Sequence, residues 1–159
     1  MSDHSKFMAR AIELSKKAGI DDMTGGCFGA VVVKDGEIVG EGSNHVIKHN
    51  DPTWHGEMEA IREASKKLGT PHLEGTKLYT SAEPCPMCLG AIYWAHIGEV
   101  YYAAKYEDVL KYGNFEDSSF RDELLKDPEE RKIPSFNIMR EEAVEVWKIY
   151  QNLPDKKHY

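Results

Sequence analysis

The stretch TKLYTSAEPCPMCLGAIYWAHIGEVYYAA, residues 76–104, reads as strand, helix, strand, and it sets the fold. TKLYTS (76–81) and EVYYAA (99–104) are short runs of the residues that suit a pleated, half-buried surface. Between them Pro86 fits the first turn of a helix, where its missing N–H is no loss. Two strands joined by a helical crossover of about ten residues form a parallel pair. Upstream, GAVVVKDGEIVGEG (29–42) sets Asp35-Gly36 between two apolar runs, the signal of a tight antiparallel hairpin. Before it, Phe7, Met8, Ala11, Ile12 and Ser15 or Ala18 recur at helical spacing, with Gly19 placed to end the helix. After it, Asp51 is expected as a cap and Pro52 as the first residue of a helix carrying Met58, Ile61, Ala64 and Leu68 as far as Gly69. The order helix, hairpin, helix, strand, helix, strand implies a mixed sheet covered by helices. Beyond residue 105 the pattern predicts a polar segment, KYGNFEDSSF (111–120), then a short helix and a Pro-flanked linker, DPEERKIP (127–134). A short strand, FNIMRE (136–141), and a terminal helix follow, the helix with Ala143, Val146, Trp147, Tyr150 and Leu153 on one face. A Pro-flanked connector ahead of an amphipathic end element permits that element to pack on another subunit.

At 159 residues the chain suits a single domain, large enough to bury roughly 70% of the surface it would expose unfolded. No apolar run is long enough to span a bilayer, and MSDHSKFMAR lacks the basic start and apolar core of a secretory signal, so a cytoplasmic protein is expected. Three cysteines are an odd number, and two of them lie in PCPMC (84–88), which in such a chain favours metal or redox chemistry over disulfides. Cys27 reads as a small, partly buried apolar side chain. The net charge of −7 argues against a nucleic-acid partner, whose phosphates demand a surplus of Lys and Arg, and favours a small substrate.

Cys85 and Cys88 at the start of one helix converge on a single point. WHGEMEAI (54–61) sets His55 and Glu57 two residues apart, about 200° around a helix, so both reach one spot only at a helix end. If the two helix starts face one another, His55, Cys85 and Cys88 hold one zinc ion through one nitrogen and two sulfurs. A structural zinc is closed by four protein ligands, whereas three leave a position for water. Glu57 then serves better as the proton carrier beside that position than as a fourth ligand. His-x-Glu followed by Pro-Cys-x-x-Cys is the signature of zinc deaminases.

HGEMEAIREA and LYTSAEPCPMCLGAIYWA resemble the cytidine deaminase superfamily, and the longer pattern looks like bacterial guanine deaminases. Counterparts of FGAVVVKDGEIVGEG, SNHVIKHNDPT, FEDSSF, EERKIP and the terminal KKHY extend the likeness over nearly the whole chain. The resemblance implies one zinc-dependent deaminase domain over 1–159. Its fold would be a three-layer α/β/α sandwich with a mixed five-stranded sheet, FNIMRE being the fifth strand. The segment 135–159 would pack on the partner of a domain-swapped homodimer. By the same resemblance Asn44 hydrogen-bonds a purine, Phe28 stacks on it, and Glu116 and Asp117 accept from its donor edge, with Asp117 the better aligned. Tyr159 reaches the neighbouring site. The reaction implied is guanine plus water to xanthine plus ammonia, with guanosine, cytosine and transfer-RNA adenosine as other substrates to weigh. Gly56 stands where that family carries alanine, and Ala82, Cys27, Met58 and Glu59 also depart from its pattern.

The remaining histidines, His4, His45, His49, His72, His96 and His158, have no motif around them and read as surface or hydrogen-bonded residues without a ligand role. Trp94 reads as core. Two other classes of function compete with an enzyme that keeps zinc: a binding module with a structural zinc, which lacks a fourth ligand here, and a thiol redox protein using Cys85 and Cys88.

Overall fold

The computed structural model describes residues 3–116 and 118–158 and divides into two units, Met1–Asp117 and Ser118–Tyr159. In the first unit a hairpin forms as expected. Strand β1 (Gly29–Lys34) and strand β2 (Glu37–Ser43) are joined by Asp35 and Gly36, whose φ values of 50° and 79° are those of the tight turn that matches strand twist. The ladder slips by one residue between Val32 and Val33, a bulge that leaves Val39 without a partner. β1 pairs antiparallel with β3 (Lys77–Ala82), and β3 pairs parallel with β4 (Glu99–Ala104), giving the order β2-β1-β3-β4.

Period-two alternation assigns the faces. Ala30, Val32 and Leu78 pack with Ala60 and Ala64 of helix α3 (Gly56–Leu68) and Ile92 of helix α4 (Pro86–Trp94). Val31, Val33 and Tyr79 pack with Phe7 and Leu14 of helix α1 (Asp3–Lys16) on the other side. The unit is therefore the expected three-layer α/β/α arrangement with a mixed sheet. Helix α1 differs in detail: Leu14 is buried and Ile12 is exposed, and the chain passes through Gly19 in a π-helical turn, Lys17–Asp21, rather than ending there. A side chain at position 19 would meet the sulfur of Cys27, which is exposed rather than partly buried.

Helix α3 begins at Gly56, four residues later than Asp51 and Pro52 suggested. The Asp51 carboxylate accepts from the Thr53 N–H (2.8 Å) and hydroxyl (2.7 Å), a local turn that competes with helix formation. Between β2 and α3 lies one further helical turn, α2 (Val46–His49). Glycine brings α3 down onto β2. A Cβ at Gly42 would lie 2.1 Å from the Gly56 carbonyl oxygen, and one at Gly40 would lie 2.3 Å from that of Ala60, so the helix backbone rests directly on the strand. Helix α5 (Tyr106–Gly113) closes the described part of this unit.

The second unit contains α6 (Ser118–Leu124), a 3₁₀ turn (Pro128–Glu130) and α7 (Arg140–Gln151). FNIMRE forms no strand, so four strands rather than five occur among the described residues. Among the described residues of this unit there is no other strand to supply the ladder partner that an extended segment needs. Phe136, Ile138, Val146, Trp147 and Leu153 are all exposed.

Candidate metal centre

Two helix N-termini build the centre. His55 precedes α3 with extended backbone (φ −79°, ψ 157°), and Cys85 precedes α4 with nearly the same conformation (φ −68°, ψ 167°). A residue at this position usually turns an oxygen back onto the helix N–H groups, but neither side chain does so here. Pro86 starts α4, and Cys88, fully buried in its first turn, comes back over Cys85. His55 Nδ1 lies 3.6 Å from Cys85 Sγ and 3.5 Å from Cys88 Sγ, and all three donor atoms fall within 4.8 Å of one another. Zinc bonds of about 2.3 Å to sulfur and 2.0–2.1 Å to nitrogen, at tetrahedral angles, place nitrogen and sulfur about 3.6 Å apart. The residues fit a zinc ion with three protein ligands.

The protons of this cluster are shared. A hydrogen bond from Cys88 draws the Cys85 thiol down to about 4, against the opposing effect of burial, and the contact with His55 adds to the fall. Cys88, as the donor of that bond and itself buried, is pushed up. The bond between them thus favours the thiolate form of Cys85 and the thiol form of Cys88. Cys85 and Cys88 would hold a divalent cation as thiolates, so its binding would release protons.

Glu57, one residue inside α3, is buried at 4% exposure. Burial raises its pKa first of all, and the negative charge of Cys85 adds to the rise. Such a carboxyl holds a proton more readily than an exposed one, which suits it to taking a proton and giving it back. Thr80 Oγ1 donates to Glu57 Oε1 at 3.2 Å. Sequence reading passed over Thr80, although the alternation that puts Leu78 under α3 puts Thr80 there too. The end of β3 is held from both sides: Gly29 N donates to Ser81 Oγ (3.0 Å), and Glu83 N donates to the Ala104 carbonyl (2.9 Å).

The proposed substrate contacts divide. Asn44 is buried, its Oδ1 accepting from Val46 N (3.1 Å) and its carbonyl from Thr24 Oγ1 (2.8 Å). Its amide donates to the Phe28 carbonyl (2.9 Å), so Asn44 and Phe28 are neighbours through the backbone. A Cβ at Gly25 would strike Asn44 Oδ1 at 1.8 Å, which explains a glycine there. Phe28 is half-buried and meets Phe115 edge to face at 5.2 Å. Glu116 lies exposed one residue beyond Phe115. Asp117 and Tyr159 lie outside the described residues. Trp94 is 66% exposed, not core. Glu59, read only as a departure from a family pattern, ties the ends together: it accepts from Ser43 N (2.7 Å) and Trp54 Nε1 (3.2 Å), and its other contact is His45 Nδ1 at 3.3 Å.

A His-Cys-Cys donor set at two helix starts, a buried carboxylic acid beside it and an α/β/α core define a zinc-dependent aminohydrolase of the deaminase type. The chain belongs to the family of the cytidine and deoxycytidylate deaminase zinc-binding region, whose model matches residues 1–104. It is 46% identical to guanine deaminase of Bacillus subtilis (strain 168), over 99% of each chain. The crystal structure of guanine deaminase from Bacillus subtilis superimposes with a TM-score of 0.94, covering 98% of both chains. A transfer-RNA-specific adenosine deaminase of Buchnera aphidicola is 42% identical over 70% of this chain and 68% of its own. A further solved structure, in complex with 2,6-diaminopurine, matches with a TM-score of 0.66 at 32% identity, covering 73% of this chain and 63% of that one.

Proposed function

We propose that this chain hydrolyses guanine to xanthine and ammonia. What carries the reading is near-full-length likeness to a guanine deaminase, 46% identity over 99% of both chains, joined to a matching donor set. His55, Cys85 and Cys88 would hold the zinc, whose Lewis acidity brings an attacking water into nucleophilic form near neutral pH. Glu57 takes a proton from that water as its oxygen adds to the ring carbon bearing the amino group. It passes that proton to the adjacent ring nitrogen, then carries the remaining proton of the added hydroxyl to the amine, which leaves as ammonia while the carbon becomes a carbonyl. Thr80 aims the carboxyl, and its hydroxyl favours the charged, accepting state.

Asn44 hydrogen-bonds the purine and Phe28 stacks on its face. Glu116 and Asp117 accept from its N–H edge, and these roles rest on the family resemblance. Residues 135–159 pack on the partner subunit of a homodimer and bring Tyr159 to the partner's site, a reading supported by the exposed apolar residues of the second unit. We place the protein in the cytoplasm because ligand thiols stay reduced there; among the described residues no helix is long and apolar enough to cross a membrane.

Ammonia release from zinc-loaded protein over guanine, guanosine, cytosine, adenine and transfer RNA tests the substrate. Guanine should be turned over fastest. Turnover of transfer-RNA adenosine in preference to guanine would overturn the reading in favour of the likeness to the Buchnera enzyme.

A further inference from the structure

Among the described residues, one other group of side chains brings metal-type donors together: His72, Glu74 and His96, with donor atoms all within 4.8 Å of one another. His72 and Glu74 precede β3 and His96 precedes β4. Because β3 and β4 run parallel, both loops lie at the end of the sheet opposite the one where β3 leads into Cys85. We propose that these three residues form a second binding site for a divalent transition metal, zinc being the expected ion, separate from the deaminase centre.

The scaffold is rigid at the points that matter. Leu73 N donates to the Ala95 carbonyl at 2.7 Å, so His72 and His96 each sit next to a residue of the bond that clamps the two loops. Leu73 and Ala95 are both buried in the core. Gly98 N donates to the Thr76 carbonyl (3.1 Å), and the Thr76 hydroxyl donates to the Leu73 carbonyl (2.6 Å), which repeats the clamp on the strand side. His96 holds a left-handed backbone (φ 56°) just past the end of α4, where Ile97 N donates to the Ile92 carbonyl (3.2 Å) and closes the helix. In this arrangement the two imidazole rings stand edge to face at 5.0 Å, and His96 Nδ1 is 3.9 Å from Glu74 Oε1.

His72 Nδ1 is buried and makes no hydrogen bond. A buried ring nitrogen normally has a partner, and a cation on the ring would make use of this one or fix which nitrogen carries the proton. Two imidazoles and one carboxylate form a donor set that zinc accepts with a position left for water, and that copper and nickel also accept. The site has no thiolate, so it should bind more weakly than the deaminase centre. Residues 72 and 96 carry no spacing signal, which is why sequence reading gave them no ligand role.

The test uses untagged, full-length protein with its deaminase zinc in place, dialysed against buffered Zn²⁺ and assayed for bound metal. Wild-type protein should take up a second equivalent, and His72→Gln/His96→Gln should hold a single one while deaminase turnover is unchanged. Glu74→Gln alters only an exposed side chain and should weaken the second equivalent by about tenfold or more without affecting the fold. With Co²⁺ as probe, the second equivalent should lack the thiolate charge-transfer band of the first. The proposal is overturned if wild-type protein binds a single equivalent, if the variants keep the second, or if the second cobalt shows thiolate coordination. Because the readout is metal content, failure of this site and failure of the deaminase reading are separate results.

Discussion

Replacing Gly42 with alanine should disable the deaminase centre without touching any of its ligands. The added Cβ would stand 2.1 Å from the Gly56 carbonyl oxygen and 2.5 Å from Ala60 N, and both are backbone atoms that no rotamer change can move aside. Ordinary contact begins near 3.4 Å, so the start of α3 must lift from β2 by about 1.3 Å. Overpacking of this kind costs about 1–3 kcal/mol, which in a chain of this length lowers the melting temperature by roughly 2–12 °C. The larger consequence falls on turnover. Gly56 lies between His55 and Glu57, and a misplacement of about 1 Å in a reacting group costs on the order of 10²-fold. Initial-rate ammonia release from zinc-saturated protein, with calorimetry on the same sample, measures both effects. Gly36→Ala is the control: it strains a left-handed turn residue at the hairpin tip, where a side chain meets nothing within 4 Å, and should lower stability while leaving turnover unchanged. If Gly42→Ala turns over within about threefold of wild type, then contact between β2 and the start of α3 does not position the centre.

Glu57→Gln should hold as much zinc as the wild type by elemental analysis and lose about 10²- to 10⁴-fold in kcat; a variant with wild-type turnover would remove Glu57 as the proton carrier. Thr80→Val preserves volume and takes away the hydroxyl that favours the ionised Glu57, so the acid limb of the kcat profile should move to higher pH, with turnover down roughly 2- to 12-fold. An unmoved profile would reduce Thr80 to a packing residue. Arg10 grips Glu41 with two hydrogen bonds (2.9 and 2.7 Å), which hold that carboxyl below its usual 4.5 although partial burial pushes the other way. A depressed folded pKa contributes stability that is present above 4.5 and lost as pH falls through the folded value. Both side chains are 36% exposed, so solvent screening keeps the contribution to about 1 kcal/mol or less. Glu41→Gln should therefore lower the urea midpoint slightly at pH 7 and by progressively less as pH falls below 4.5, and a loss that does not change with pH would refute the linkage.

Patterns within single elements carried much of the fold. Alternation in β1 and β3, the Asp35-Gly36 turn and the strand-helix-strand run of 76–104 are set by backbone geometry and short-range sterics, and they survive into the structure. Where local signals competed, position slipped: Asp51 and Pro52 pointed to a helix start, but the Asp51 side chain closed a turn on Thr53 and delayed α3 to Gly56. That delay makes His55 the residue before the helix, with its ring turned to the sulfurs. FNIMRE has the composition of a strand but no partner among the described residues of its own unit, and β structure exists only where a second strand completes the ladder.

The centre follows the same division. His55, Glu57, Cys85 and Cys88 were legible because their spacing places them at helix tips, a matter settled by 3.6 residues per turn. Thr80 behind Glu57, the glycine contact between β2 and α3, and the meeting of His72 with His96 depend on residues far apart in the chain. Periodicity sets the direction in which a side chain leaves its own helix or strand. Which distant side chain it meets follows from packing summed over the whole core, where displacements near one ångström already decide whether donors share an ion.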